Sequence, residues 1–199
     1  MNSVADIERP IETSRWKVLK ARTAPAHERL DKRIMAGNPF ADRDRYGMFV
    51  TVQHHFHRDI DALYSKRELD RLLPDLAGRR RLGLIEQDLA DLGLAIPQAG
   101  APLFCAEADI PTALGWLYVA EGSNLGAAFL LKEAAKLGLS ETFGARHLAG
   151  APEGRGLHWR TFTAALDALE LDAAEEQKVV DGGDAAFRRV HDLVAEIFG

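Results

Sequence analysis

The chain has 199 residues, is 47% hydrophobic and carries a net charge of -5, a length and composition that suit one domain with a sizeable core. The acidic balance excludes nonspecific nucleic-acid binding, because no basic excess attracts phosphates, and no apolar run approaches the roughly 18–20 residues of a membrane span. A lone cysteine, Cys105, closes no internal disulfide, which points to a reducing, cytoplasmic setting.

Residues 1–13 read as a flexible lead-in without the charged-then-apolar pattern of a secretory signal, and residues 14–199 as the domain proper. Helical periodicity starts near Ser14, a candidate N-cap, and runs through Trp16, Val18 and Leu19. Pro25 either opens a new helix or lies inside one long bent helix, since proline is tolerated in a first helical turn. Leu30 and Ile34 continue the pattern to a stop at Gly37-Asn38-Pro39. Residues 42–66 read as a long amphipathic helix through Tyr46, Phe49, Val50, Phe56, Ile60 and Leu63. Shorter helical pieces follow at 69–73 and 79–92, then a Pro/Gly/Ala loop over 96–102. After an irregular region bracketed by Gly138 and residues 149–156, helices are expected over 157–169 and 172–198, the last interrupted or loosened at Gly182-Gly183. No stretch has strand periodicity bounded by turn residues, so the fold class is all-α, a single-domain helical bundle.

The central helix, which Pro111 opens, carries ALGWLYVAEGSNLGAAFLLKEAAKLG over residues 113–138. Gly122 and Gly126 lie four apart on one face, and Gly115 lies one heptad before Gly122 on the same stripe. Each interior glycine costs about 1 kcal/mol relative to alanine, so a bare stripe has a reason. It either lets another helix cross closely or lets a flat ligand lie on the backbone.

The chain has seven histidines, His27, His54, His55, His57, His147, His158 and His191, of which His27 is singled out. Lys20, His27 and Asp31 share one face if the helix runs through Pro25. A carboxylate one turn after an imidazole can accept from Nδ1, fix the tautomer and free Nε2 for a metal; an exposed histidine on an amphipathic helix has the same spacing. The run HHFHRDID, residues 54–61, matches no closed zinc geometry and reads as a solvated helix face. The H-E-x-x-H, G-x-S-x-G, P-loop and G-x-G-x-x-G motifs are absent, as is the paired Glu-x-x-His scheme of di-iron bundles. Ser123 has no histidine at a spacing that would activate it.

Taken together, the strings GWLYVAEGSNLGAAFLLK (115–132), TAPAHERLD (23–31), NPFADRDRYGMFV (38–50) and FGARHLA (143–149) resemble bacterial heme oxygenases, and the likeness covers residues 15–198. It implies a fold that holds heme between a proximal helix bearing His27, the iron ligand, and a distal helix kinked at Gly122 and Gly126. It also implies oxygen-dependent opening of heme to biliverdin, with release of carbon monoxide and ferrous iron. Heme is then both cofactor and substrate, and the oxygen chemistry is the heme's own.

The same resemblance makes Gln53, Arg81 and His147 candidates for a distal water network. It places Ser123 in the catalytic stretch between the two glycines, and makes Lys20 and Tyr118, with Arg188 or Arg189, candidates for propionate anchors. Lys20 and Tyr118 match heme oxygenases that cleave at the α carbon. A subgroup that opens heme at β or δ has an additional lysine where Met35 stands, so the α isomer is expected. Expected partners are heme, dioxygen and an external redox donor such as a ferredoxin or flavin reductase, with a bacteriophytochrome as a possible acceptor of biliverdin. Two other readings stand beside this one: a heme-storage protein on the same fold, and a thiaminase-like enzyme, to which Cys105 in its loop lends no support.

Overall fold

A computed structural model describes residues 14–98, 100–104 and 108–199. The expected lead-in over residues 1–13, and Cys105, lie outside the described residues. Seven α-helices follow in order: α1 (Arg15–Ala36), α2 (Arg43–Ile60), α3 (Arg67–Leu72), α4 (Leu82–Asp91), α5 (Ile110–Ala135), α6 (Arg155–Asp167) and α7 (Ala173–Phe198). Short 3-10 turns occupy Asp61–Ser65, Ala77–Arg79 and Arg146–Leu148. Among the described residues there is no strand, and the all-α expectation holds.

Local chemistry explains several ends. Asp42 accepts from Arg45 N and Asp109 from Thr112 N, each capping the helix it precedes. Asp172 and Glu175 form a reciprocal capping box at the start of α7. Pro25 sits inside α1, which runs unbroken from Arg15 to Ala36. Ser14 differs from expectation: its hydroxyl donates to Asp167 Oδ2 at 2.7 Å instead of capping α1. Arg15 then ties α1 to the α6–α7 connection through Glu176 and the carbonyls of Leu166 and Leu169.

The expected break at Gly182-Gly183 is absent, and α7 is continuous. Both glycines are buried where α7 crosses α5. A Cβ on Gly115 would lie 2.6 Å from Gly183 N and closer still to Val179 O. One on Gly182 would press on Thr112 O. The helix-propensity penalty at these positions is outweighed by a backbone-to-backbone crossing that no side chain permits. Thr23 of α1 joins the same crossing, with its Cγ2 3.4 Å from where a Gly183 Cβ would stand.

Two apolar clusters fill the interior. One joins α1, α5, α6 and α7 with the end of α2 through residues such as Leu19, Phe56, Leu117, Phe162 and Val190. The other, with Tyr46, Phe49, Ile85, Leu89 and Ala134, joins α2 and α4 to the end of α5. Trp16, Trp159 and Tyr118 link α1, α6 and α5 by ring contacts of 6.2 and 5.7 Å.

Candidate functional site

The glycine stripe of α5 divides into parts with different surroundings. Gly115 is consumed by the α7 crossing. At Gly122 a Cβ would meet the rim of the Trp159 ring at 3.8 Å, an ordinary contact. At Gly126 a Cβ would meet nothing within 4 Å. Leu125 and Phe129 are large apolar side chains left 43% and 55% exposed. Positions 122, 125, 126 and 129 have the i, i+3, i+4, i+7 spacing of one helical face. That strip is bare, apolar and uncovered, the kind of surface that marks a binding site. The helix is continuous through it, from Ile110 to Ala135.

Beside it runs α1. The Tyr118 side chain shares a hydrogen bond with Thr23, and burial raises the phenol's pKa. One turn past Thr23 is His27; one and two turns past Tyr118 are Gly122 and Gly126. Continuity of α1 through Pro25 puts Lys20, His27 and Asp31 on one face. His27 Nδ1 lies 3.1 Å from Asp31 Oδ2, and both side chains are 60% exposed. The ring packs edge-on against Phe187 of α7 at 5.6 Å. An imidazole engaged at Nδ1 presents Nε2 outward, the arrangement that suits an axial ligand. Imidazole, bare helix face and uncovered apolar side chains together fit a heme.

Polar residues from α2, α4 and the Arg146–Leu148 turn meet below the surface. The solvated face expected for HHFHRDID is corrected here: His54 and His57 are buried. His57 responds to the charges of His147, Arg81 and His54, so these four groups lie together. Asp88 accepts from His147 N at 3.0 Å and pairs with His147 Nδ1 at 2.7 Å. It also accepts from Arg146 N. Burial pushes the Asp88 carboxyl up, but the hydrogen bonds from His147 and Arg146 outweigh it and the net pKa is lowered. Several buried atoms have no protein partner: Nδ1 of His54 and His57, Nε2 of His147, Nε of Arg81 and the Tyr64 hydroxyl. Buried polar atoms require a partner, and ordered water is the usual one.

Arg81 and His147, expected as candidates for a distal water network, are both buried here. Gln53 is half-buried on α2, one turn before His57. Sequence reasoning missed His57, although its i, i+4 relation to Gln53 was a usable signal. Ser123 is exposed, and its hydroxyl donates to Ala120 O at 2.7 Å. Lys20 and Arg188 are exposed on separate helices, and Arg189 pairs with Asp59 at 2.8 Å. Arg188 lines a groove of about 360 Å³ between α1 and α7 with Arg22, Arg29 and His191.

Burial, with the neighbouring His147, Arg81 and His54, lowers the His57 pKa to about 3. The unfolded imidazole binds its proton near pH 6.5 and the folded one does not, so stability falls as pH drops from about 6.5 towards 3. Asp88, whose pKa is lowered, adds a loss in the same direction at the acid end. Urea midpoints measured from pH 8 to pH 4 should fall steadily below pH 6.5. His57→Leu should flatten that decline; an unchanged slope in the variant would contradict the burial argument.

A heme oxygenase family profile matches residues 15–196. The heme oxygenase PigA of Pseudomonas aeruginosa is 44% identical over 180 residues, which cover 90% of this chain and 91% of that protein. The structure of NO- and CO-bound heme oxygenase from Neisseria meningitidis aligns with a TM-score of 0.88 at 41% identity, covering 94% of this chain and 92% of that one. Heme oxygenase-1 of the cyanobacterium Synechocystis, solved in complex with heme, aligns with a TM-score of 0.72 at 18% identity and covers 92% of each chain, a likeness of fold alone. No helix among the described residues is long and apolar enough to cross a membrane.

Proposed function

The chain belongs to the heme oxygenase family, and on that premise we propose that it opens heme to the α isomer of biliverdin, releasing carbon monoxide and ferrous iron. The observation that carries this reading is the uncovered face of α5 at Gly126, two turns past the Tyr118–Thr23 contact that joins α5 to the helix presenting His27. Bound heme supplies the oxygen activation and is itself consumed.

The chain's own part is ligation, steric direction and proton delivery. His27 would hold the heme iron through Nε2, while Asp31 accepts from Nδ1 and holds the tautomer and ring orientation. A neutral imidazole ligand gives little of the electronic push that a thiolate provides. The backbone over residues 122–126, with Ser123 between the glycines, would lie against heme held by His27, and its missing side chains would leave room there for a small ligand. His57, His147 and Arg81, with Gln53 at their edge, hold water through their unpaired atoms and pass protons towards that space. His57 stays neutral at working pH, so it can accept a hydrogen bond as well as donate one.

Lys20, Tyr118 and Arg188 are assigned to the propionates. The first is on the His27 face of α1 and the second one turn before Gly122 on α5. Met35, in place of a lysine, favours the α isomer. Electrons come from an external donor such as a ferredoxin or flavin reductase. A bacteriophytochrome is the acceptor that the α isomer suits, and the cytoplasm is the setting for both exchanges.

Purified protein loaded with hemin and given reductant and oxygen should lose its Soret band as a single bilin accumulates. Chromatography of the product should give the α isomer. A Soret band that persists under these conditions would identify a storage protein instead.

A further inference from the structure

A second buried cluster lies against α5 immediately before the bare strip. Glu121 is the one charged residue fully buried in that helix, and it directly precedes Gly122. Its Oε2 accepts from Arg79 Nη1 at 2.6 Å. Both side chains are almost completely buried. Arg79 comes from the Ala77–Arg79 turn and is itself fixed, donating from Nε to Pro74 O at 2.8 Å and from Nη2 to Thr161 Oγ1 at 3.1 Å. Its guanidinium also lies 5.6 Å from the centre of the Phe162 ring. From α6, His158 Nε2 comes within 3.4 Å of Glu121 Oε2, and its Nδ1 is 2.7 Å from Glu153 Oε1. The next residue, Trp159, is the one that rests against Gly122.

A buried ion pair is a poor way to add stability, since apolar residues of similar volume often do as well or better. Its directional contacts are better suited to fixing position. The α7 crossing at Gly115 fixes one part of α5 and the second apolar cluster fixes its end, at Ala127 and Ala134; the span between is where position has to be set. Over that span its exposed face carries Ser123, Leu125, Gly126, Ala128 and Phe129, and a Cβ at Gly126 would meet nothing within 4 Å. Two glycines also weaken the helix within that span. We infer that the Arg79–Glu121–His158 cluster is the clamp that sets the height and rotation of α5 over the heme face, and so selects the meso carbon towards which bound oxygen is directed. These are positioning residues acting through the α5 backbone. The inference rests on the functional reading above for its consequence, but not for the clamp itself.

The clamp has a pH signature. Glu121 on the Nε2 side, then Glu153 at Nδ1, favour the protonated His158 and raise its pKa, against burial and the Arg79 charge. Tyr64 feels the charge of Glu121, together with those of Arg81, Arg79 and Asp61. A raised histidine pKa gives its full contribution at low pH and loses it as pH rises through the folded value. Hydrogen exchange on the heme-free protein should therefore give protection factors at amides 122–126 that fall as pH rises through the His158 titration. In His158→Gln those factors should be about tenfold lower at pH 6 and independent of pH, while amides at 182–183 keep theirs. The Arg79→Leu/Glu121→Leu double variant, which leaves no buried charge stranded, should show the same local loss if His158→Gln folds poorly. With hemin, both variants should turn a single bilin isomer into a mixture. Unchanged protection at 122–126 in both variants, or an unchanged isomer composition, would overturn the clamp. A parent protein that makes no bilin would count against the functional reading, and exchange on the heme-free protein then decides the clamp alone.

Discussion

His27→Ala should abolish normal heme ligation while leaving the fold intact. The side chain is 60% exposed, and its contacts are Asp31 within the same helix and the edge of Phe187. Exposed i, i+4 pairs contribute a few tenths of a kcal/mol, and alanine is the better helix former, so unfolding free energy should change by less than about 1 kcal/mol. Ferric heme added to the variant should lack the imidazole-bound spectrum, and bilin formation should stop. Added imidazole should restore the spectrum, because a free ligand can occupy the position that the side chain left. A variant that keeps the parent spectrum would place the ligand elsewhere, and His191, which lines the groove beside Phe187, would be the first residue to examine.

The glycines of α5 should respond to substitution in opposite ways although they share one stripe of the sequence. At Gly126 nothing stands within 4 Å of a new Cβ. Gly126→Leu should therefore raise the stability of the heme-free protein by about 1 kcal/mol, the propensity difference between glycine and a good helix former. The same side chain should fill the space over the heme and reduce turnover by about 100-fold or more, since displacement of reacting groups by about 1 Å costs that much. Gly115→Ala should do the reverse. Its Cβ would collide with the α7 backbone at Val179 and Gly183, neither of which can rotate away. Overpacking of this kind costs about 1–3 kcal/mol and more where backbone must move. Thermal unfolding and turnover measured side by side separate the two. Equal effects on stability would mean that the stripe serves a single purpose.

The difference between those glycines marks the limit of what the sequence discloses. Their spacing showed a bare stripe, but packing partners 60 or more residues away decide which part of it is used. Gly115 finds Gly182 and Gly183, and that is also why those two glycines do not interrupt α7. Helix order and the stop near Gly37 follow from local chemistry and were legible, whereas the cap expected at Ser14 is absent and the caps at Asp42, Asp109 and Asp172 went unread. The His27–Asp31 pair was legible as well, because i, i+4 geometry follows once α1 runs through Pro25.

The histidines of α2 were not legible. A polar run on a helix normally faces water, whereas His54 and His57 point into an interior lined by His147, Arg81 and Tyr64. Burial of this kind depends on groups supplied by other helices. The same holds for Glu121, whose partners Arg79 and His158 lie 42 residues before it on a short turn and on α6 after it.

The most direct test of the whole account is a crystal structure of the ferric heme complex. It should have His27 Nε2 bonded to the iron on one face and the α5 backbone from Gly122 to Gly126 lying across the other. Iron held by any other residue, or a heme that sits away from those glycines, would contradict it.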